Sequence, residues 1–195
     1  LAALTRPPVC EERWRDAYEI NVEGTQHLVD AVNAFVPDCY VVYMSTPCVF
    51  DGQSDDPYFE GSIPHTSQWY GVTKLCGELV VRQLKNYCIV RANFVPPEKW
   101  EYDAAFIDRF SNYLFSSDLA RAIRDVVETG RRSIVHLCGE EVLSMWDLSQ
   151  RCPSSENVKK ITLEEFYAKN PKSPKLTRNM LLGTTRWKSY KLGCG

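Results

Sequence analysis

Two unbroken apolar runs constrain this chain more than any other feature. Cys39-Tyr40-Val41-Val42-Tyr43-Met44 and Tyr87-Cys88-Ile89-Val90 do not alternate with polar residues. Strands covered on both faces read this way. Each run follows a helical pattern. Trp14, Tyr18, Val22, Thr25, Leu28, Val29, Val32 and Phe35 recur at three- and four-residue steps within 11–35, which predicts one long helix with one buried stripe. Val72, Leu75, Cys76, Leu79, Val80 and Leu84 form the apolar side of a second helix over 68–84. Helix, strand, helix, strand with buried strands implies α/β with a parallel sheet and right-handed crossovers. Pro7-Pro8 are read as a block to any earlier helix start, with Glu11-Glu12 as an acidic N-terminus.

The second half is less regular. Residues 51–67 are rich in Asp, Gly, Ser and Pro, and 94–112 carry Pro96-Pro97, so both read as loops. Ser116 or Ser117 can cap a helix running to Glu128, with Gly130 as its stop. Residues 133–138 read as a strand. Ser144 can cap a short helix over 145–151, with Asp147 three residues on. A strand over 158–162, a short helix over 163–169, a basic loop over 172–175 and a last helical turn within 184–190 complete the expectation.

Composition excludes several classes of function. With 23 basic and 25 acidic residues interspersed, the net charge of −2 gives no electrostatic case for nucleic acid or an anionic membrane. No apolar run approaches the roughly 20 residues of a membrane span, and the N-terminus lacks a signal-peptide pattern. The eight cysteines contain no Cys-x-x-Cys, and several lie inside apolar runs, where a thiol behaves as a small hydrophobe. The expectation is reduced, structural cysteines in a cytoplasmic protein without a metal site.

Two segments carry chemistry. Ser45-Thr46 closes the first apolar run, and Tyr70-Gly71-Val72-Thr73-Lys74 opens the second helix. Tyr70 and Lys74, four residues apart, share one helix face. An ammonium beside a phenol favours the phenolate and lowers its pKa, making the tyrosine a usable general acid or base. Thr46, at the carboxyl end of a parallel strand, sits where ligands of open α/β sheets bind. Asn21 falls on the inward side of the first helix, either bonded to backbone or facing a ligand. His65 in the loop before Tyr70 could reach a substrate or be solvated. Arg91 could grip a phosphate or form a structural ion pair.

These segments resemble, in order, the extended short-chain dehydrogenase/reductase superfamily, and most the dTDP-4-dehydrorhamnose reductase branch. That branch also includes the non-catalytic regulatory beta subunit of methionine adenosyltransferase. Asn21-Val22-Glu23-Gly24-Thr25 matches Asn-Val-x-Gly-Thr. Ser45-Thr46-Pro47-Cys48-Val49-Phe50-Asp51-Gly52 resembles Ser-Thr-Asp-Tyr-Val-Phe-Asp-Gly. Tyr70 to Lys74 matches Tyr-Gly-x-Thr-Lys, with Glu78 following. Arg91-Ala92-Asn93-Phe94 resembles Arg-Thr-Ser-Trp, Ser117-Asp118-Leu119-Ala120 matches the opening of a late helix, and Thr177 to Thr185 resembles the reductase tail.

The resemblance implies a Rossmann-like parallel sheet with a small mixed C-terminal substrate lobe. Residues 1–93 would be a partial dinucleotide-binding domain. Residues 94–195 would be mostly the substrate lobe, with elements around 113–138 returning to the main sheet. It implies NADP or NAD as cofactor, a nucleotide-linked sugar as ligand and a homodimer as a possible assembly. Thr46, Tyr70 and Lys74 would be catalytic. Leu1, Ala2, Ala3, Leu4, Thr5, Asn21, Tyr70, Lys74 and Asn93 would line the cofactor, and Thr46, Pro47 and Phe94 the substrate.

Two departures stand against this pattern. Pro47 and Cys48 replace the Asp and Tyr, and Pro removes a backbone donor. The Gly-x-x-Gly-x-x-Gly turn that seats a pyrophosphate does not occur. The expectation is therefore a chain truncated at its N-terminus, with that turn roughly fifty or sixty residues upstream. The alternative is a non-catalytic cofactor- or partner-binding relative.

Overall fold

The computed structural model describes residues 2–171, 173 and 175–193. Its centre is a parallel three-stranded sheet, ordered β1 (Val41–Ser45), β2 (Tyr87–Ala92), β7 (Ser133–Leu137). The register aligns Ser45 with Arg91 and Arg91 with His136, so the strands' carboxyl ends form one edge. Ahead of β1 run α1 (Pro7–Glu12), α2 (Trp14–Tyr18), a π-helical turn (Glu19–Glu23) and α3 (Gly24–Phe35). A 3-10 turn (Pro47–Val49) and α4 (Trp69–Val81) lie between β1 and β2. Then come β3 (Phe94–Val95), β4 (Ala104–Phe106), β5 (Phe110–Ser111), β6 (Leu114–Phe115) and α5 (Ser116–Glu128) before β7. After β7 follow β8 (Leu143–Ser144), α6 (Met145–Ser149), β9 (Lys159–Ile161) and α7 (Leu163–Lys169). The short strands pair as β3–β6, β4–β9 and β5–β8. This is the expected α/β class, with a Rossmann-like parallel sheet.

The two sheet faces use alternate residues, as period-2 geometry requires. Val29 and Val32 of α3 with Val81 of α4 pack on Ile89 and Ile134. Leu119, Ala122 and Val126 of α5 pack on Cys88, Val90, Val135 and Leu137. Among the described residues, no helix is long and apolar enough to cross a membrane. Seven cysteines are free, and Cys194 lies outside the described residues.

Several local expectations are corrected. Pro7 does not block a helix; it occupies the first position of α1, where its missing N–H costs nothing and its fixed φ suits the helix. The single helix over 11–35 is broken at Arg13 (φ −111°, ψ 51°) and again by the π turn. Both breaks shift the helical phase, so Val22, Val29 and Val32 are buried while Trp14, Tyr18, Leu28 and Phe35 remain exposed. Residues 94–112 are not all loop, since they supply three short strands. Residues 184–190 form no helical turn: Thr184 and Thr185 instead donate to the buried Glu60 carboxylate. Neither Ser116 nor Ser117 caps α5. Phe115 is its N-cap residue, and its N–H is taken by Asp118 Oδ2 at 3.3 Å.

The apolar side expected for α4 is not its most buried side. Gly71, Thr73, Lys74, Gly77, Glu78 and Val81 are buried, whereas Leu79 is exposed. The glycines explain this. A Cβ on Gly71 would collide with the Cys48 carbonyl, and one on Gly77 with the Tyr43 hydroxyl. Without side chains, both positions let the helix backbone press on the 3-10 turn and on β1, and the polar residues beside them are carried inward.

Candidate active site

Thr46 follows the last residue of β1 and caps the 3-10 turn, its Oγ1 accepting from Cys48 N–H at 3.2 Å. Tyr70 sits in the first turn of α4. The free N–H of Trp69 at that helix start donates to Glu11 Oε1 at 2.8 Å, so an acidic side chain from α1 caps α4. Trp14 stacks on Trp69 with ring centroids 5.5 Å apart. Strand end and helix start thereby bring Thr46 and Tyr70 to one cleft of about 470 Å³ at the carboxyl ends of β1 and β2. Asn93 and Phe94 line it after β2, and Thr5 lines it from the N-terminal segment.

The electrostatics differ from the sequence-based picture. Burial pushes the Tyr70 phenol well above its ordinary pKa, and the Cys48 thiol adds to this, while the Thr46 hydroxyl pulls it down. The Lys74 ammonium is not among the groups that set it. Lys74 lies instead over the Tyr43 ring, 4.1 Å from its centroid. Burial lowers the Lys74 pKa to about 8, against the attraction of Glu78. Among the described residues Lys74 makes no ion pair and no hydrogen bond. The side chain is buried, but its nitrogen is not a sealed, unpartnered polar atom and so keeps contact with solvent.

Asn21 is spent within the protein. Its Oδ1 accepts from Leu4 N–H at 2.8 Å, and its Nδ2 donates to Leu4 O and to Thr73 Oγ1, each at 3.0 Å. It straps the N-terminal segment to α4, and the π turn is what aims it there. Cys10 Sγ donates to the same Leu4 carbonyl at 3.4 Å. Ala2, Ala3, Leu4, Asn21, Pro47 and Lys74 do not line the cleft, and Leu1 lies outside the described residues.

Arg91 forms the structural ion pair. Its Nε and a terminal nitrogen donate to the two Glu78 oxygens at 2.9 and 2.7 Å. His65 is exposed and faces Asp51 Oδ2 at 3.3 Å, away from the cleft.

Among the cleft residues that sequence reasoning missed are Arg109, Tyr113 and Cys48. Arg109 and Tyr113 lie in a stretch without periodicity. Phe110 exchanges backbone hydrogen bonds with Arg178 and Met180, and β5 pairs with β8, which swings the stretch against the cleft. The only available signal was an arginine and a tyrosine in an aromatic-rich segment near the family-like Asp118.

A Rossmann-like sheet with Thr46 and Tyr70 in one cleft at its carboxyl edge puts the chain in the extended short-chain dehydrogenase/reductase superfamily. Within it, the RmlD substrate binding domain model matches residues 1–112, and the chain belongs to that family. It is 39% identical over 82 residues to methionine adenosyltransferase 2 subunit beta of Xenopus laevis, covering 42% of this chain and 24% of that protein. It is 27% identical over 169 residues to dTDP-4-dehydrorhamnose reductase of Aggregatibacter actinomycetemcomitans, covering 76% of this chain and 57% of that one. The chain thus spans less than two thirds of either relative. The crystal structure of dTDP-4-dehydrorhamnose reductase from Bacillus anthracis in complex with NADP shares the fold, with a TM-score of 0.79, 22% identity and coverage of 93% of this chain and 69% of that one.

Proposed function

We propose that this chain is the catalytic part of an NAD(P)-dependent oxidoreductase acting on a nucleotide-linked sugar. The observation that carries the reading is the meeting of Thr46 and Tyr70 in one cleft at the sheet's carboxyl edge. Tyr70, kept protonated by burial, donates its proton to the sugar carbonyl oxygen. Thr46 Oγ orients that oxygen. A nicotinamide bound alongside would supply the hydride. Lys74, one helical turn past Tyr70, holds ribose hydroxyls, and Asn21 fixes the Leu4 backbone beside the cofactor. The residues account for the nicotinamide end of such a cofactor; the sequence holds no glycine turn for its pyrophosphate.

The test is Tyr70→Phe in the complete protein. Turnover on dTDP-4-dehydro sugars with NADPH is expected to vanish while NADPH affinity is unchanged. Surviving turnover would remove Tyr70 from the mechanism.

A second reading is a non-catalytic binding relative. It is favoured by Pro47 in place of an acid, and by the identity with methionine adenosyltransferase 2 subunit beta. Tight NAD(P)H binding without turnover on any nucleotide-sugar would select it.

A further inference from the structure

Arg109 lines the cleft but is not neutralised in it. Its Nε donates to Thr177 O at 2.7 Å. Its terminal nitrogens find only Thr177 Oγ1 at 3.4 Å and the sulfurs of Met145 and Met180 at 3.4 and 3.8 Å. Thioethers are weak acceptors. Among the described residues, no carboxylate pairs with this guanidinium, although it is half-buried against the Phe106 ring.

Tyr113 stands beside it as a second unmet donor. It is 3% exposed and lines the same cleft; among the described residues its hydroxyl makes no well-formed hydrogen bond, with the Asn93 side chain as its polar neighbour. A buried hydroxyl left unpaired is unfavourable, and a ligand oxygen would relieve it. The place of this pair within the cleft is fixed by Cys48. Cys48, whose N–H donates to Thr46 Oγ1, packs against the cluster that holds Tyr113 and Met180, and the Arg109 terminal nitrogens reach the sulfurs of Met145 and Met180. The cation therefore lies on the Cys48 side of the cleft. Pro47 brings no charge to balance it. The remaining charges lining the cleft, Glu98, Lys99 and Glu101, are on the exposed rim.

We infer that Arg109 and Tyr113 form an anion subsite for a carboxylate on the sugar itself, so that the substrate class is a nucleotide-linked sugar acid. The inference rests on the nucleotide-sugar reading above. Arg109 offers its planar fork to the carboxylate, and Tyr113 donates a further hydrogen bond.

Calorimetric titration of the full-length protein in the presence of NADPH tests this with three probes: UDP-glucuronate, UDP-glucose and UDP. Losing a charge-assisted hydrogen bond costs about tenfold or more in affinity. UDP-glucuronate is expected to bind at least about tenfold tighter than UDP-glucose. That ratio should collapse in Arg109→Gln and shrink in Tyr113→Phe. The second variant loses within the protein at most the weak Asn93 contact, so its melting temperature should change little. Equal affinity for the two sugars overturns the subsite while leaving the nucleotide-sugar reading intact. Equal weakening of UDP alone by Arg109→Gln also overturns it, by assigning the arginine to phosphate. Failure of all three probes and of their dTDP counterparts to bind overturns both readings.

Discussion

Glu78 and Arg91 lock α4 to β2 through a fork of two hydrogen bonds, at 2.9 and 2.7 Å, between side chains 1% and 2% exposed. Glu78 Oε1 also accepts from Ser45 Oγ, at the end of β1 and next to Thr46. The Arg91 guanidinium in turn lies over Phe50, 5.1 Å from the ring centroid. One carboxylate thus fixes both strand ends relative to the helix that carries Tyr70 and Lys74.

Breaking one side of such a pair leaves an uncompensated buried charge. Glu78→Gln is expected to lower stability by about 3–5 kcal/mol in urea denaturation. The double variant Glu78→Leu/Arg91→Met should recover most of that loss, because both desolvation penalties disappear together. A double variant no more stable than the single one would show that the pair stabilises the fold in its own right.

Gly71 separates Tyr70 from the rest of α4 and faces backbone. A Cβ there meets the Cys48 carbonyl and the Thr66 side chain. The obstacle is the 3-10 turn that Thr46 caps, which cannot rotate away like a long side chain. Gly71→Ala should cost about 1–3 kcal/mol as overpacking. It should also reduce kcat more than NADPH affinity, by moving Tyr70 from Thr46. Thermal unfolding and steady-state kinetics read the two effects separately.

The parts of this arrangement differ in how far the sequence reveals them. Apolar runs disclosed β1 and β2, and a four-residue spacing disclosed Tyr70 and Lys74, because those signals are local. The buried polar face of α4 was hidden. Lys74 and Glu78 are interior only because Gly71 and Gly77 admit Cys48 and Tyr43, and because Arg91 comes from the next strand. Arg109 and Tyr113 were hidden for a similar reason. Their position depends on pairing with residues near 144 and 178–180, far along the chain. Thr184 and Thr185 read as helical until the Glu60 carboxylate supplied acceptors that a helix would not.

His136, on the buried centre of β7, is held neutral. Its Nδ1 faces the Gly183 carbonyl at 2.9 Å, which can only accept, so Nδ1 carries the proton. Nε2 has no partner. Burial lowers its pKa from 6.5 to about 4, opposed by Glu60 and reinforced by Arg91. A lowered histidine pKa leaves the unfolded chain binding more protons between those values. This contribution to stability is complete above about 6.5 and is lost as pH falls toward 4, by about 3 kcal/mol. Nitrogen-15 NMR should show the Nδ1–H tautomer persisting to pH 5. An imidazolium signal already at pH 6 would contradict the assignment.

Lys74 titrates in the opposite part of the pH range. Its folded pKa is about 8 against 10.5 for the exposed group, with burial the main cause and Glu78 opposing. Below pH 8 both folded and unfolded chains carry the charge, and the folded state bears the full cost of burying it. Between about 8 and 10.5 the folded chain has released the proton and the unfolded chain has not, so this cost falls as pH rises. The difference of two to three pKa steps corresponds to about 3 kcal/mol. Lys74→Met keeps the length of the side chain without the charge. It is therefore expected to be more stable than the native chain at pH 7, with the gap narrowing toward pH 10. Other tyrosines and cysteines that titrate at high pH affect both proteins alike and cancel in the difference. The same variant should bind NADPH at least about tenfold more weakly, since the ribose oxygens lose a charged donor. Urea melts at pH 7, 9 and 10, paired with NADPH titration, check both parts. A pH-independent gap would show that the ammonium is solvated. An unchanged NADPH affinity would place the ribose elsewhere.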